Sequence, residues 1–211
     1  MKVEIWSDVM CPFCYIGKRH FEKALEEFSG KDNVEIVWKS FQLSPDAQRT
    51  PGKDIHDYLA ERKGQTREWA KQMNDNVTAM AAKAGLRYDF DKAIVANSFD
   101  AHRFSHLAAK YGKQDAAEEQ LFAGYFTEGK DISDHETLVA MGKAIGLDEQ
   151  ELRNMLNSDQ YAEEVKRDIQ EAEMLGARGV PFFVFDRKYG VSGAQPPETF
   201  LQVLEKAASE K

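Results

Sequence analysis

Cys11 and Cys14 are the only two cysteines in the 211-residue chain, and they stand three positions apart in Met10-Cys11-Pro12-Phe13-Cys14-Tyr15-Ile16-Gly17. Residues three apart on a helix are neighbours, so the two sulfurs can reach disulfide distance. Pro12 suits the first turn of a helix, where a missing N–H costs nothing. Upstream, residues 2–7 (KVEIWS) put Val3 and Ile5 on one side and Glu4 and Trp6 on the other, which is strand patterning. The cysteines therefore fall where a strand hands over to a helix N-terminus, and the helix dipole there favours negative charge. A thiolate is such a charge. This placement lowers a thiol pKa below the free value of about 8.5 and makes the first cysteine the better nucleophile. Cys11 is expected to be exposed at the tip. Cys14, one turn further in, is expected to be shielded and to act as the resolving thiol.

Two other readings compete. Cysteine is often buried, and two can share a core without chemistry. A metal site would need two more ligands, and His102 and His106 offer imidazoles four apart on one helix face. Far more residues separate them from Cys14 than the roughly 12–15 of a finger motif, so no metal is expected. Both histidines are then read as a helix flank beside Val95 and Phe99.

Composition narrows the classes further. A net charge of -8 argues against a nucleic-acid partner, because phosphate contacts need Lys and Arg in excess. No apolar run approaches the roughly 20 residues that span a bilayer. The N-terminus MKVEIWSDVM alternates charged and apolar residues, unlike a secretory leader. A cytoplasmic protein is expected, with no membrane partner, and two cysteines in a reducing compartment point to catalysis or metal binding before a structural staple.

The elements around the pair read as follows. A helix runs from Pro12 to Phe28, ended by Ser29-Gly30. Residues 34–41 (VEIVWKSF) are a second strand rich in β-branched and aromatic residues. Strand, helix and strand make a βαβ unit with parallel strands. From a proline-rich loop at 44–52 onward, helices are expected near 53–63, 66–84, 92–111, 114–128, 134–145, 148–156 and 159–175. Ser133-x-x-Glu136 and Asp148-x-x-Glu151 resemble capping boxes. Val180–Phe185 and Tyr189–Ser192 return as a hairpin, and a last helix runs to about Ser209. The spacing predicts an α/β fold, a βαβ…ββα mixed sheet from residues 1–48 and 176–211, with a large α-helical insertion at 49–175.

A βαβ unit with Cys-x-x-Cys on its first helix, closed by a ββα unit opened by Val180-Pro181, resembles the thioredoxin-like fold. In that fold a cis-proline begins the third strand and lies against the cysteines, and Pro181 fits the role. With a helical insertion and Cys-Pro-x-Cys the chain resembles the DsbA family, and more closely its FrnE-like branch. The likeness covers nearly the whole chain. It is carried by Ser7 to Gly17, Phe41-Gln42-Leu43-Ser44-Pro45, Asn97 to Arg103, Gly179 to Val184 and Gly193-Ala194-Gln195. It implies a dithiol–disulfide oxidoreductase of the disulfide oxidoreductase/isomerase kind. It also brings in 2-hydroxychromene-2-carboxylate isomerases and kappa-class glutathione transferases, whose cofactor is glutathione. No tightly bound cofactor is expected here; glutathione is the one co-substrate the resemblance suggests. Partners are expected to be thiol or disulfide proteins or small molecules, with the oligomeric state open.

Two departures bear on chemistry. Thioredoxin and DsbA carry a buried acid six positions before the first cysteine, where this chain has Ile5. Lys39, or a water, is left to serve the second thiol. DsbA has a histidine before its second cysteine, where this chain has Phe13, so a less oxidising protein than DsbA is expected. Beyond Cys11, Cys14 and Pro181, candidate substrate-binding residues are Pro12, Phe13, Val180, Asn97, Arg103, Gly193, Ala194 and Gln195. Val180 can offer backbone groups to an extended substrate. Asn97, on the apolar face of its expected helix, is either a structural amide or a polar group turned to the cleft. Arg103 is either solvated or a carboxylate partner. The Gly193–Gln195 backbone, ahead of the last helix, could hold a carboxylate.

Overall fold

A computed structural model describes residues 1–210. It divides into two compact units, one of residues 1–43 with those from Tyr161 onward, the other of Ser44–Gln160. In the first unit β1 (Lys2–Ser7) leads to α1 (Pro12–Glu27), a short 3-10 turn (Lys31–Asn33) and β2 (Glu35–Ser40). The chain returns as α8 (Ala162–Met174), β3 (Phe182–Phe185), β4 (Tyr189–Ser192) and α9 (Pro197–Ser209). The sheet order is β2-β1-β3-β4, with β1 parallel to β2 and the other neighbours antiparallel. This is the mixed α/β thioredoxin-like sheet the sequence predicts.

Alternation along the strands assigns the two faces. Val3 and Ile5 pair with Phe185 and Phe183, and those aromatics meet Phe21 of α1. Phe200 of α9 closes the group, 5.8 Å from Phe21 and 4.5 Å from Phe183 between ring centroids. The opposite face carries Glu4 and Trp6. Trp6 packs with Ala172 and Val184, and its indole N–H donates to the Asp168 carbonyl at 2.8 Å.

That bond, with its neighbours, corrects the expected boundary. Helix α8 belongs with the sheet and not with the insertion. Lys39 donates to Asp168 Oδ1 at 2.7 Å, and the Ser40 N–H donates to Asp168 Oδ2 at 3.0 Å. Glu171 pairs with Lys39 and Arg187, and Arg187 also pairs with the buried Glu4. The unit boundaries thus fall at 43/44 and 160/161, where the sequence reading has 48/49 and 175/176. The spacing in residues 159–175 reports a helix but not which surface it covers.

The second unit is helical: α2 (Ile55–Lys63), α3 (Arg67–Lys83), α4 (Phe99–Lys110), α5 (Gln114–Phe126), α6 (His135–Ala144) and α7 (Glu149–Leu156). Its core includes Phe104, Leu107, Leu121, Phe122, Tyr125 and Met155. Helix α4 begins seven residues later than the 92 expected. Asn97 accepts from the Phe99 N–H at 2.9 Å and so closes a turn just before the helix; such local side-chain bonds compete with helical ones. Two caps also differ. Asp134, not Ser133, caps α6 through the Thr137 N–H. Asp148 caps α7 as expected, but Glu151 pairs with Lys110 instead of completing a box.

Removing one partner of a buried ion pair leaves the other charge without compensation. Asp168→Ala is therefore expected to destabilise the protein by about 3 kcal/mol, read as a lower midpoint in urea unfolding. An unchanged midpoint would mean that Lys39 and the Ser40 N–H find other partners.

Candidate active site

Cys11 is the N-cap of α1, and its N–H donates to the Asp8 carbonyl at 2.9 Å. Pro12 takes the first helical position as expected, half-buried, and Phe13 is exposed. The Cys11 thiol donates to the Val180 carbonyl at 3.3 Å. The Val180–Pro181 peptide is cis. Pairing between β1 and β3 stops at Trp6 and Phe182, so Val180 lies beyond the ladder and beside the cysteine. Cys11 is not the exposed tip the sequence suggests: it is only 3% exposed, and Cys14 1%. The sulfur that should face outward lies against the backbone ahead of β3.

Cys14 sits one turn into the helix. Burial pushes its thiol well above the ordinary value, and the neighbouring Cys11 adds to the rise through a hydrogen bond and its charge. The Ser7 side chain and the Asp8 backbone act in the opposite direction. Lys39 does not serve this thiol. It stands opposite Trp6 in the β1–β2 register and is held by Asp168 and Glu171 on the α8 face.

Two residues of the site, Asp8 and Gly17, lie in the stretch that carries the family resemblance but are given no role by the sequence. Asp8 is buried, and its carboxylate accepts from the Met10 N–H at 3.3 Å and the Leu43 N–H at 2.7 Å. It ties the loop before Cys11 to the segment leaving β2. Gly17 lets α1 approach β3: a Cβ there would stand 3.0 Å from Pro181 Cγ and 3.6 Å from the Ala194 Cα. The clue to both was their place within three residues of a cysteine, in a stretch otherwise apolar.

The Gly193–Gln195 segment lies close by but has the amides of Gly193 and Gln195 engaged. The Gly193 N–H donates to the Pro181 carbonyl at 2.8 Å, and the Gln195 N–H to the Gly193 carbonyl at 2.9 Å. Gly193 has φ +81, open to glycine at little cost. His20 Nδ1 donates to the Gln195 carbonyl at 2.9 Å, which ties α1 to this turn. Pro196 and Pro197 begin α9 and have no N–H to give. The carboxylate cradle expected of this turn thus has few donors. Its role here is to brace Pro181.

Asn97 and Arg103 belong to the helical unit. The Asn97 amide donates to the Pro45 carbonyl at 2.8 Å, in addition to its bond from Phe99. It is a structural amide with both ends used. Arg103 is neither solvated nor poised for a ligand. It is 4% exposed and donates to Asp100 and to the carbonyls of Met155, Ser158 and Gln160. It fastens the end of α7 to α4. Among the described residues no group of three or more His, Cys, Asp or Glu side chains could hold a metal ion. No helix among them is long and apolar enough to cross a membrane.

Comparison with known proteins agrees with this geometry. The family described as DSBA-like thioredoxin domain matches residues 2–205. The chain is similar to a probable DsbA oxidoreductase from Streptomyces coelicolor, SCO1869, with 43% identity, a TM-score of 0.93, and coverage of 100% of this chain and 91% of that one. It is 28% identical to YwbO of Bacillus subtilis, described as uncharacterized, over 96% of this chain and 94% of the relative. Its fold is also similar to the cytosolic disulfide reductase DsbM of Pseudomonas aeruginosa, with a TM-score of 0.69 at 15% identity over 100% of both chains. A structure of DsbM with GSH is similar to the same degree.

The raised Cys14 thiol makes a pH prediction. The folded dithiol protein holds that proton more tightly than the unfolded chain. Its contribution to stability is therefore fully present below about pH 8.5 and is lost as the pH climbs from there through the raised folded value. Denaturant unfolding across this range should show stability falling with pH in the dithiol protein. Cys14→Ala should lack that component, and parallel curves for the two proteins would contradict it.

Proposed function

The chain belongs to the family of DSBA-like thioredoxin domains, and from that premise we propose that it is a thiol–disulfide oxidoreductase in which Cys11 attacks and Cys14 resolves. The observation that carries this reading is the placement of the two sulfurs. Cys11 lies at the head of α1 against Val180, where a substrate disulfide would meet it. Cys14 is held protonated one turn behind.

In the reducing direction the Cys11 thiolate attacks one sulfur of a substrate disulfide. A Cys11–substrate disulfide forms, and the other substrate sulfur leaves as a thiolate and takes up a proton. Cys14 then gives up its proton and attacks Cys11. The Cys11–Cys14 bond forms, the bond to substrate breaks, and the second substrate sulfur leaves as a thiol. One disulfide is reduced and the protein dithiol is oxidised. The oxidising direction is the reverse. An extended substrate can lay its backbone beside Val180, beyond the end of the β1–β3 ladder. The exposed Phe13 and Leu43 offer it apolar surface.

Glutathione fits this scheme as a small co-substrate that exchanges with the Cys11 sulfur. The alternative, a glutathione transferase or isomerase, would ask the Gly193–Gln195 turn to hold the tripeptide. The engaged amides there favour exchange chemistry instead. We assign the protein to the cytoplasm and to the FrnE-like branch of the family. The cysteine usage described above supports the compartment, and the Cys-Pro-Phe-Cys motif with its flanking residues supports the branch.

The test is trapping. Cys14→Ser should accumulate mixed disulfides through Cys11, resolved by reductant and identifiable by mass spectrometry, while Cys11→Ser should trap nothing. Equilibration of the wild type in glutathione buffers should give a potential between roughly −270 and −120 mV, the values of thioredoxin and DsbA. A pair that stays dithiol at the oxidising end would defeat the reading.

A further inference from the structure

Ser7 ends β1, and its backbone is used in the sheet: its carbonyl accepts from the Phe41 N–H at 2.9 Å. Strand parity places its side chain with Val3 and Ile5, on the face that α1 covers. The residue is 2% exposed, and among the described residues its hydroxyl oxygen meets no hydrogen-bond partner of good geometry. Buried polar groups are nearly always paired, and an exception at a reactive centre calls for an explanation. The nearby group on which this hydroxyl acts is the Cys14 thiol, whose anion it favours.

A neutral thiol is a poor acceptor, whereas a thiolate accepts a charge-assisted bond about twice as strong as a neutral one. The hydroxyl is thus poorly satisfied while Cys14 is a thiol and well satisfied once the sulfur is an anion. Only an interaction that strengthens along the reaction speeds it. We propose that Ser7 is a catalytic residue of the resolving step, donating its hydroxyl hydrogen bond to the Cys14 sulfur as that sulfur becomes a thiolate.

The surroundings isolate this role. Burial and Cys11 oppose ionisation of Cys14; Ser7 and the Asp8 backbone favour it. In the mixed disulfide Cys11 is bonded to substrate and carries no charge, which leaves burial set against Ser7 and Asp8. Pro181 just ahead of β3, Phe183 and Phe185 of β3 and Phe200 of α9 are among the side chains that meet α1, and all are uncharged. Lys39 is committed on the opposite face. The Asp8 carboxylate is turned to the Met10 and Leu43 amides. With Ile5 where related folds carry an acid, Ser7 is the side chain that assists the second sulfur. The Cys14 proton leaves with the departing substrate thiolate through solvent. The Ser7 proton stays on its oxygen.

The inference rests on the exchange reading above, and one experiment separates the two. Mixing the dithiol protein with 5,5′-dithiobis(2-nitrobenzoate) releases one nitrothiobenzoate as Cys11 is modified and a second as Cys14 resolves. The second phase is followed against pH for wild type, Ser7→Ala, Ser7→Thr and Ser7→Val. Ser7→Ala should leave the first phase unchanged and slow the second about tenfold at neutral pH. Its pH profile should move up by about one unit. Ser7→Thr keeps the hydroxyl and should stay near wild type. Ser7→Val, of the same shape without the hydroxyl, should behave as Ser7→Ala. The Thr and Val pair also decides the matter if Ser7→Ala folds poorly. A second phase equal in Thr and Val, or unchanged in Ala, would overturn the role of Ser7 alone. A wild type with no second phase would overturn the exchange reading itself.

Discussion

Helix α1 and the segment entering β3 come so close that a Cβ at Gly17 would stand 3.0 Å from the Pro181 ring. It would also reach ordinary contact with Phe183 and the Ala194 backbone. This contact fixes the distance between the two segments that make the site. Cys11 caps the same helix six residues before Gly17, and Val180 stands one residue before Pro181, so the approach that Gly17 permits brings the Cys11 sulfur against the Val180 carbonyl. The same contact is braced from behind by the Gly193 amide on the Pro181 carbonyl and by His20 on Gln195. Prolines resist displacement because their ring fixes φ. The bracing turn and the helix thus hold Pro181 from two sides.

The sheet separates charge from redox chemistry. Glu4, Lys39, Asp168, Glu171 and Arg187 form a connected ionic group on the α8 face, around Trp6. The α1 face has Val3, Ile5 and Ser7 from β1, and a phenylalanine cluster from α1, β3 and α9. A buried thiol set among apolar groups stays protonated, and a single hydroxyl is then worth more to its anion than it would be in water.

The helical unit shows how far spacing alone can mislead about side chains. The sequence leaves Asn97 either a structural amide or a group turned to a cleft, and Arg103 either solvated or a carboxylate partner. Both are occupied inside the unit, one closing the turn before α4 and one holding the carbonyls at the end of α7. Arg103 offers a planar fork of donors, and residues 155–160 supply a cluster of carbonyls to match it. Nothing in the local sequence announces that match.

What the sequence determined by itself is what depends on near neighbours along the chain. The Cys-Pro-Phe-Cys spacing, the proline at the first helical position, the alternation in β1, the hairpin at 180–192 and most helix spans were legible, because each follows from local periodicity and backbone preference. The tertiary structure alone decided the rest: that α8 covers the sheet, that Lys39 is taken by Asp168, that the Gly193 amide serves Pro181, that Cys11 is buried and that Ser7 lies near Cys14. Each is a contact between residues whose partner is chosen by the packing of whole elements. A residue's type states what bonds it can make, and only the folded chain states which partner is within reach.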